Sequence, residues 1–201
     1  MQLVLATNNR DKIREIRQVL EDLPVTILTA DDYLEFPDPE ETGTTLAENA
    51  ILKARAIANF TDLPALADDT GLEVDALDGA PGVYSSRYAG ENVTYKDNYT
   101  KLLVKLAGIP HDKRTARFRC VMAVAWPEGK VETVEGVSEG FIADTVEGTG
   151  GFGYDPVFYY PPLGKRFSQM SLEEKNQVSH RGIALRKVRD LLIAHLRQSR
   201  A

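Results

Sequence analysis

The chain has 201 residues, 43% of them hydrophobic and 27% charged, the composition of a folded globular protein rather than a disordered or fibrous one. A formal charge of −6 and a pI near 5.2 argue against nonspecific binding to nucleic acid. An anionic ligand would need basic groups gathered locally, or a cation. One cysteine, Cys120, excludes an internal disulfide and suits a reducing compartment. No run approaches the ~18 apolar residues of a membrane span, and MQLVLATNN has no leader pattern, so a soluble, cytoplasmic protein is expected.

In chain order, Leu3 to Ala6 predict a short strand, and Thr7-Asn8-Asn9 a polar turn with capping residues. Ile13, Ile16, Val19 and Leu20 recur at helical spacing up to about Glu21. Val25 to Leu28 predict a second strand, and the acidic, proline-bearing stretch 31–43 an irregular loop. Thr45 and Glu48 form a capping box for a helix whose apolar stripe is Leu46, Ala50, Ile51, Ala54, Ile57 and Ala58. An apolar strand then ends at the adjacent Asp68 and Asp69, and alternation resumes at Leu72, Val74 and Ala76. Residues 78–82 predict a turn, and Tyr99 to Leu106 a helix closed near Gly108. Arg117 to Trp126 and Val131 to Ile142 predict two long strands joined as a hairpin at 127–130. Val157 to Tyr160 predict a last short strand, and Ser179 opens a C-terminal helix with Leu185, Val188, Leu192 and Leu196 on one face. The class is mixed α/β, with helices flanking a sheet that is at least partly antiparallel.

Several segments carry chemistry. The strand–turn–helix LATNNRDK offers backbone N–H groups at the positive end of a helix dipole, with Arg10 and Lys12 in the same turn, a geometry suited to phosphate. It lacks the P-loop pattern, and most such junctions bind nothing. GTGGFGYDP at 148–156 satisfies G-x-G-x-x-G, but Asp155-Pro156 and a strand follow it, so the dinucleotide reading is rejected. What survives is a backbone able to approach a flat ligand, with Phe152 and Tyr154 available for stacking, or simply a glycine-rich loop. His180 and Arg181 read equally well as a surface helix start, Lys53 as a solvated lysine sharing a polar face with Asn49, and Glu40-Glu41 as solvated charge. Cys120, among apolar neighbours, reads as an inert core thiol. Two adjacent aspartates at a strand exit resist joint ionisation. A solvated turn would tolerate them, while a metal ion or a proton to be removed would give them a purpose.

Five blocks in order, ATNNRDK, EETGTTLAENAILKA, LADDTGLEVDALDGAPGVYSSRYAG, GTGGFGYDPVF and EEKNQVSHRGIAL, together resemble the inosine triphosphate pyrophosphatase family. This is the Ham1-like family of non-canonical purine nucleoside triphosphate pyrophosphatases. Small departures are Asn9-Arg10-Asp11 in a variable part of the first block and Thr70 where serine is common. The resemblance implies one ITPase-like α/β domain over residues 1–201, an elongated mixed sheet flanked by helices, two lobes and a central cleft. It implies hydrolysis of dITP, ITP and XTP to monophosphate and pyrophosphate with Mg²⁺, usually by a homodimer, without a nucleic-acid polymer or membrane as partner.

By motif position Thr7, Asn8, Asn9, Arg10, Asp11, Lys12 and Lys53 would hold the triphosphate. Glu40 and Asp69 would hold Mg²⁺, with Asp69 also the general base. Thr70, Phe152, Gly153, Tyr154, Asp155, Lys175, His180 and Arg181 would line the nucleoside site. There Arg181, His180 or backbone N–H groups of 148–155 would donate to a 6-oxygen and reject adenine. A Maf-like pyrophosphatase acting on other nucleotides and a non-catalytic nucleotide sensor are the competing readings.

Overall fold

A computed structural model describes residues 1–198 of the chain. The elements are β1 (Gln2–Leu5), α1 (Arg10–Leu20), β2 (Thr26–Leu28), α2 (Leu46–Thr61), β3 (Ala65–Val74) and β4 (Pro81–Gly82). They continue with α3 (Tyr95–Lys105), β5 (Thr115–Ala125), β6 (Val131–Ile142), β7 (Phe158–Tyr160), β8 (Lys165–Arg166), α4 (Leu172–Val178) and α5 (His180–Gln198). The sheet order is β2-β1-β3-β5-β6-β7-β8, with β4 beside β3. β1 runs parallel to β2 and β3, with Leu3 opposite Ile27 and Leu5 opposite Leu66. Parallel neighbours need crossovers, and α1 and α2 supply them. The β3–β4, β6–β7 and β7–β8 pairs are antiparallel, so the sheet is mixed.

Backbone packing divides the chain into two compact units. The first comprises Met1–Asp69, Cys120–Gly136 and the chain from His180. Its core gathers Leu3 and Leu5 of β1, Ile16 and Leu20 of α1, Leu66 of β3, Met122 and Val124 of β5, and Leu185, Val188 and Leu192 of α5. Each such aliphatic contributes about 1.5–3 kcal/mol on burial, so the helical stripes of α1 and α5 are held by this one layer. The second unit comprises Thr70–Arg119 and Val137–Ser179. Its core joins Leu72, Val74, Leu102 and Leu106 to three phenylalanines, with the Phe118 and Phe167 rings stacked at 5.8 Å and 7°.

Four expectations change. β3 runs without interruption from Ala65 to Val74, so Asp68 and Asp69 lie inside a strand rather than at its exit. α3 starts at Tyr95 because Thr94 and Asp97 form a capping box. Val157 to Tyr160 is not the last strand, since Tyr159 pairs with Arg166 of β8. A separate α4, capped by Ser171 and Glu174, precedes α5, so Ser179 closes one helix as the next begins.

Candidate active site

In the first unit, β1 delivers the chain into the turn Thr7–Asn9 and then α1. Asn9 is the N-cap, its Oδ1 accepting from the backbone N–H of Asp11 at 3.0 Å and of Lys12 at 3.2 Å. The Asn9 N–H in turn donates to Thr7 Oγ1 at 3.2 Å. The expected open N–H groups are therefore partly satisfied by the cap itself. What the turn projects is the charge of Lys12; Asn8 and Arg10 are exposed, and Asp11 pairs with Arg14 at 3.2 Å on the surface.

Successive strand residues face opposite sides of a sheet, so β3 separates its two aspartates. Asp68 is on the face of Leu66 and is buried. It meets Lys12 Nζ at 3.0 Å and Arg181 Nη2 at 3.1 Å, and the Cys120 thiol lies 3.9 Å from its Oδ2. Among the described residues Arg181 is the largest fully buried side chain, and its Nη1 reaches Glu15 Oε2 at 2.7 Å. Burial acts to raise the Asp68 carboxyl, but Lys12, Arg181 and Lys53 together hold it far below the ordinary value. Burial also opposes the Arg181 charge, which Asp68 and Glu15 more than restore.

Asp69 faces α2. Its Oδ2 accepts from Asn49 Nδ2 at 3.1 Å, and its Oδ1 is 3.5 Å from Lys53 Nζ. Lys53 also donates to Glu41 Oε1 at 2.7 Å and to the Asp68 carbonyl at 2.8 Å. The polar face of α2 is thus turned inward, and Lys53 is buried rather than solvated. Burial works against its charge, while Asp69, Asp68 and Glu41 raise its pKa. For Asp69 the balance goes the other way: burial raises the carboxyl, Lys53 lowers it, and Glu41 raises it again. One aspartate is locked as an anion and its neighbour is tuned toward taking up a proton.

This cluster sets three cationic side chains, Lys12, Lys53 and Arg181, against four carboxylates, Glu15, Glu41, Asp68 and Asp69. A triphosphate brings about four more negative charges, and a divalent cation would offset charge that these three cationic groups, already paired with carboxylates, do not. Among the described residues no three His, Cys, Asp or Glu side chains converge into a ready-made metal cage. Mg²⁺ does not need one, because it uses one or two carboxylates and completes its shell with phosphates and water. The donor chemistry of Asp69 and the nearby Glu41 fits that ion. Of the two glutamates the structure brings Glu41 to Lys53, whereas Glu40 is exposed.

His180 and Arg181 are both buried, which corrects the surface-helix reading. Gly136 of β6 is the reason the start of α5 can sit so close, because a Cβ there would overlap the His180 carbonyl oxygen. Glu15 and Gly136 belong to this site although nothing in their local sequence points to it. A helical glutamate or a strand glycine carries no local signal of a distant ionic partner.

The second unit holds the aromatic group. Asp155 is buried, its Oδ2 accepting from the Phe152 N–H at 2.8 Å and from Lys175 Nζ at 2.6 Å. Gly151 has φ +71, and a side chain there would overlap the Asp155 carboxylate, so glycine is required for this tight loop. Gly153 is also left-handed, at φ +62. Lys175 Nζ stands 4.6 Å from the centre of the half-buried Phe152 ring. Tyr154 does not offer a stacking face, since its ring is buried and its hydroxyl donates to the Ser85 carbonyl at 2.8 Å. Thr70, the first residue of this unit, is half-buried on β3.

A mixed α/β sheet with a capped strand–turn–helix, a buried lysine and carboxylates held apart on one strand defines a class: α/β proteins equipped for polyphosphate chemistry. The Ham1 family pattern matches residues 3–191, and the chain belongs to that family. It is 52% identical to the dITP/XTP pyrophosphatase of Geobacter sulfurreducens over 94% of this chain and 96% of that one. The dITP/XTP pyrophosphatase of Desulforamulus reducens is 51% identical over 96% of each. Among solved structures, a HAM1 protein from Coxiella burnetii has a TM-score of 0.88 at 42% identity, covering 96% of this chain and 99% of that one. The Staphylococcus aureus Ham1 protein has a TM-score of 0.86 at 41% identity, covering 97% and 100%.

Proposed function

We infer that this chain hydrolyses non-canonical purine nucleoside triphosphates, dITP, ITP and XTP, to the monophosphate and pyrophosphate. The observation that carries the reading is Asp69, a buried carboxylate with a raised pKa, positioned by Asn49 and Lys53 beside a second acidic group. Water adds to the α-phosphorus, the bond to the bridging oxygen breaks, and pyrophosphate leaves. Asp69 takes the proton from that water as general base. Lys12 and Lys53 exchange their carboxylate partners for phosphate oxygens, and the turn Thr7 to Asp11 orients the chain of phosphates. Mg²⁺, held by Asp69 with a glutamate of the 40–41 pair, would offset phosphate charge in the transition state.

The nucleoside is read onto Thr70, Phe152, Gly153, Tyr154, Asp155 and Lys175 of the second unit, while His180, in the first, carries that assignment by motif position only. Phe152 supplies the stacking ring, and loop N–H groups are the donors suited to a 6-oxygen. Arg181, ion-paired on two sides in the core, is better suited to positioning Asp68 than to touching the base. A homodimer and a cytoplasmic location belong to the same proposal; among the described residues no helix is long and apolar enough to cross a membrane.

Pyrophosphate release measured across ITP, XTP, dITP, ATP, GTP and UTP tests the reading. The expected result is a kcat/KM for ITP, XTP and dITP far above the others: donors matched to a 6-oxygen can discriminate against adenine by ~10⁴, and GTP, which shares that oxygen, is rejected through its 2-amino group. Equal hydrolysis of ATP or GTP would overturn it, a preference for other nucleotides would favour the Maf-like reading, and binding without turnover the sensor.

A further inference from the structure

Phe152 is held from two directions, by the Asp155 carboxylate on its N–H and by the Lys175 ammonium over its ring. A third group adjoins it. The Tyr95 ring centre lies 6.0 Å from that of Phe152, with the ring planes inclined at 44°. Tyr95 is the first residue of α3, and its backbone is fixed by reciprocal bonds of the preceding cap. Thr94 N–H donates to Asp97 Oδ2 at 2.8 Å, and Asp97 N–H donates to Thr94 Oγ1 at 3.2 Å. Despite that fixed base, Tyr95 keeps 44% of its surface exposed. Tyr99, one turn later on the same side of α3, packs against the core of the unit instead. Tyr95 thus combines a fixed backbone with a ring that is only partly covered.

A purine is bicyclic and longer than a phenyl ring, so Phe152 alone leaves part of it uncovered. A second ring inclined at 44° is a side wall rather than a continued floor. We propose that Tyr95 is a specificity-determining residue, the lateral wall of the base subsite that favours a purine over the smaller pyrimidine. The proposal rests on the reading of Phe152 as the base-stacking residue. The contact needs the ring and not the hydroxyl, because offset and edge contacts of aromatic groups arise from area and the ring quadrupole.

Steady-state kinetics on Tyr95→Ala, Tyr95→Phe and Phe152→Ala test it, together with inhibition by inorganic pyrophosphate, which has no base. Base–aromatic contacts weaken binding by about 5- to 150-fold on truncation, and an inclined wall belongs near the low end. Tyr95→Ala should raise KM for ITP and XTP about five- to tenfold, leave kcat and pyrophosphate inhibition unchanged, and narrow the preference for ITP over UTP. Tyr95→Phe should behave as wild type. If Phe152→Ala raises KM for ITP and Tyr95→Ala stays within about twofold, well under the loss expected of a base contact, the proposal fails and the base-site reading stands. If Phe152→Ala also leaves KM unchanged, the base-site reading itself fails. A Tyr95→Ala variant whose pyrophosphate inhibition weakens in parallel has lost α3 packing, and that result also overturns the proposal.

Discussion

Replacing Asp68 by asparagine removes a carboxylate that, with Glu15, neutralises the buried Arg181 guanidinium. Arg181 is 1% exposed and Asp68 3%, so water cannot take over the lost contact. Asparagine is nearly isosteric, but if its amide nitrogen faces Lys12 or Arg181 it places a donor against a donor. Breaking one member of a buried ionic set costs about 3–5 kcal/mol. Against a total stability of about 5–15 kcal/mol this is a large fraction. For a chain of this length it corresponds to a fall in Tm of about 6–20 °C.

The pH dependence has a definite sign. Lys12 and Arg181 hold the folded Asp68 carboxyl well below the ordinary aspartate value of about 3.9. Its contribution is therefore fully present above that pH and is lost as pH falls toward the folded value. Urea denaturation of wild type and Asp68→Asn between pH 3 and pH 8 should give a gap that is flat above about pH 5 and shrinks below the unfolded-state value. A gap under about 1 kcal/mol at pH 7, well short of the loss expected of a buried pair, would refute the idea that Asp68 anchors the Glu15–Arg181–Lys12 set.

Asp69→Asn should keep its packing against Asn49 and Lys53, fold normally, and lose at least about a hundredfold in kcat; near-wild-type turnover at saturating Mg²⁺ would remove Asp69 from the mechanism. In the same titrations, Glu40→Gln and Glu41→Gln separate the two acidic neighbours, the metal ligand being the one whose loss raises the Mg²⁺ requirement. Lys12→Ala and Lys53→Ala should weaken ITP much more than IMP in binding titrations, and an equal loss for both would place the lysines away from the β- and γ-phosphates.

Local pattern settled a good deal of this protein. The Asn9 and Thr45–Glu48 caps, the stripes of α1 and α5 and the long hairpin of β5 and β6 are each decided by residues within a few positions of one another. The order of the five motif blocks gave the family before any coordinate did. Tertiary structure alone decided the fate of the charges. Lys53 reads as solvated from its place on α2, and Arg181 as an exposed helix start, because sequence spacing records which face of an element a residue occupies but not what that face meets. Glu15 and Arg181 are 166 residues apart and Arg181 and Asp68 113 apart, yet they share one buried ionic set. The same holds for the adjacent aspartates. As neighbours in sequence they look like one repelling pair, but the alternation of a continuous strand sends them to opposite faces. There Lys12 and Arg181 hold one as an anion, and burial leaves the other ready to accept a proton.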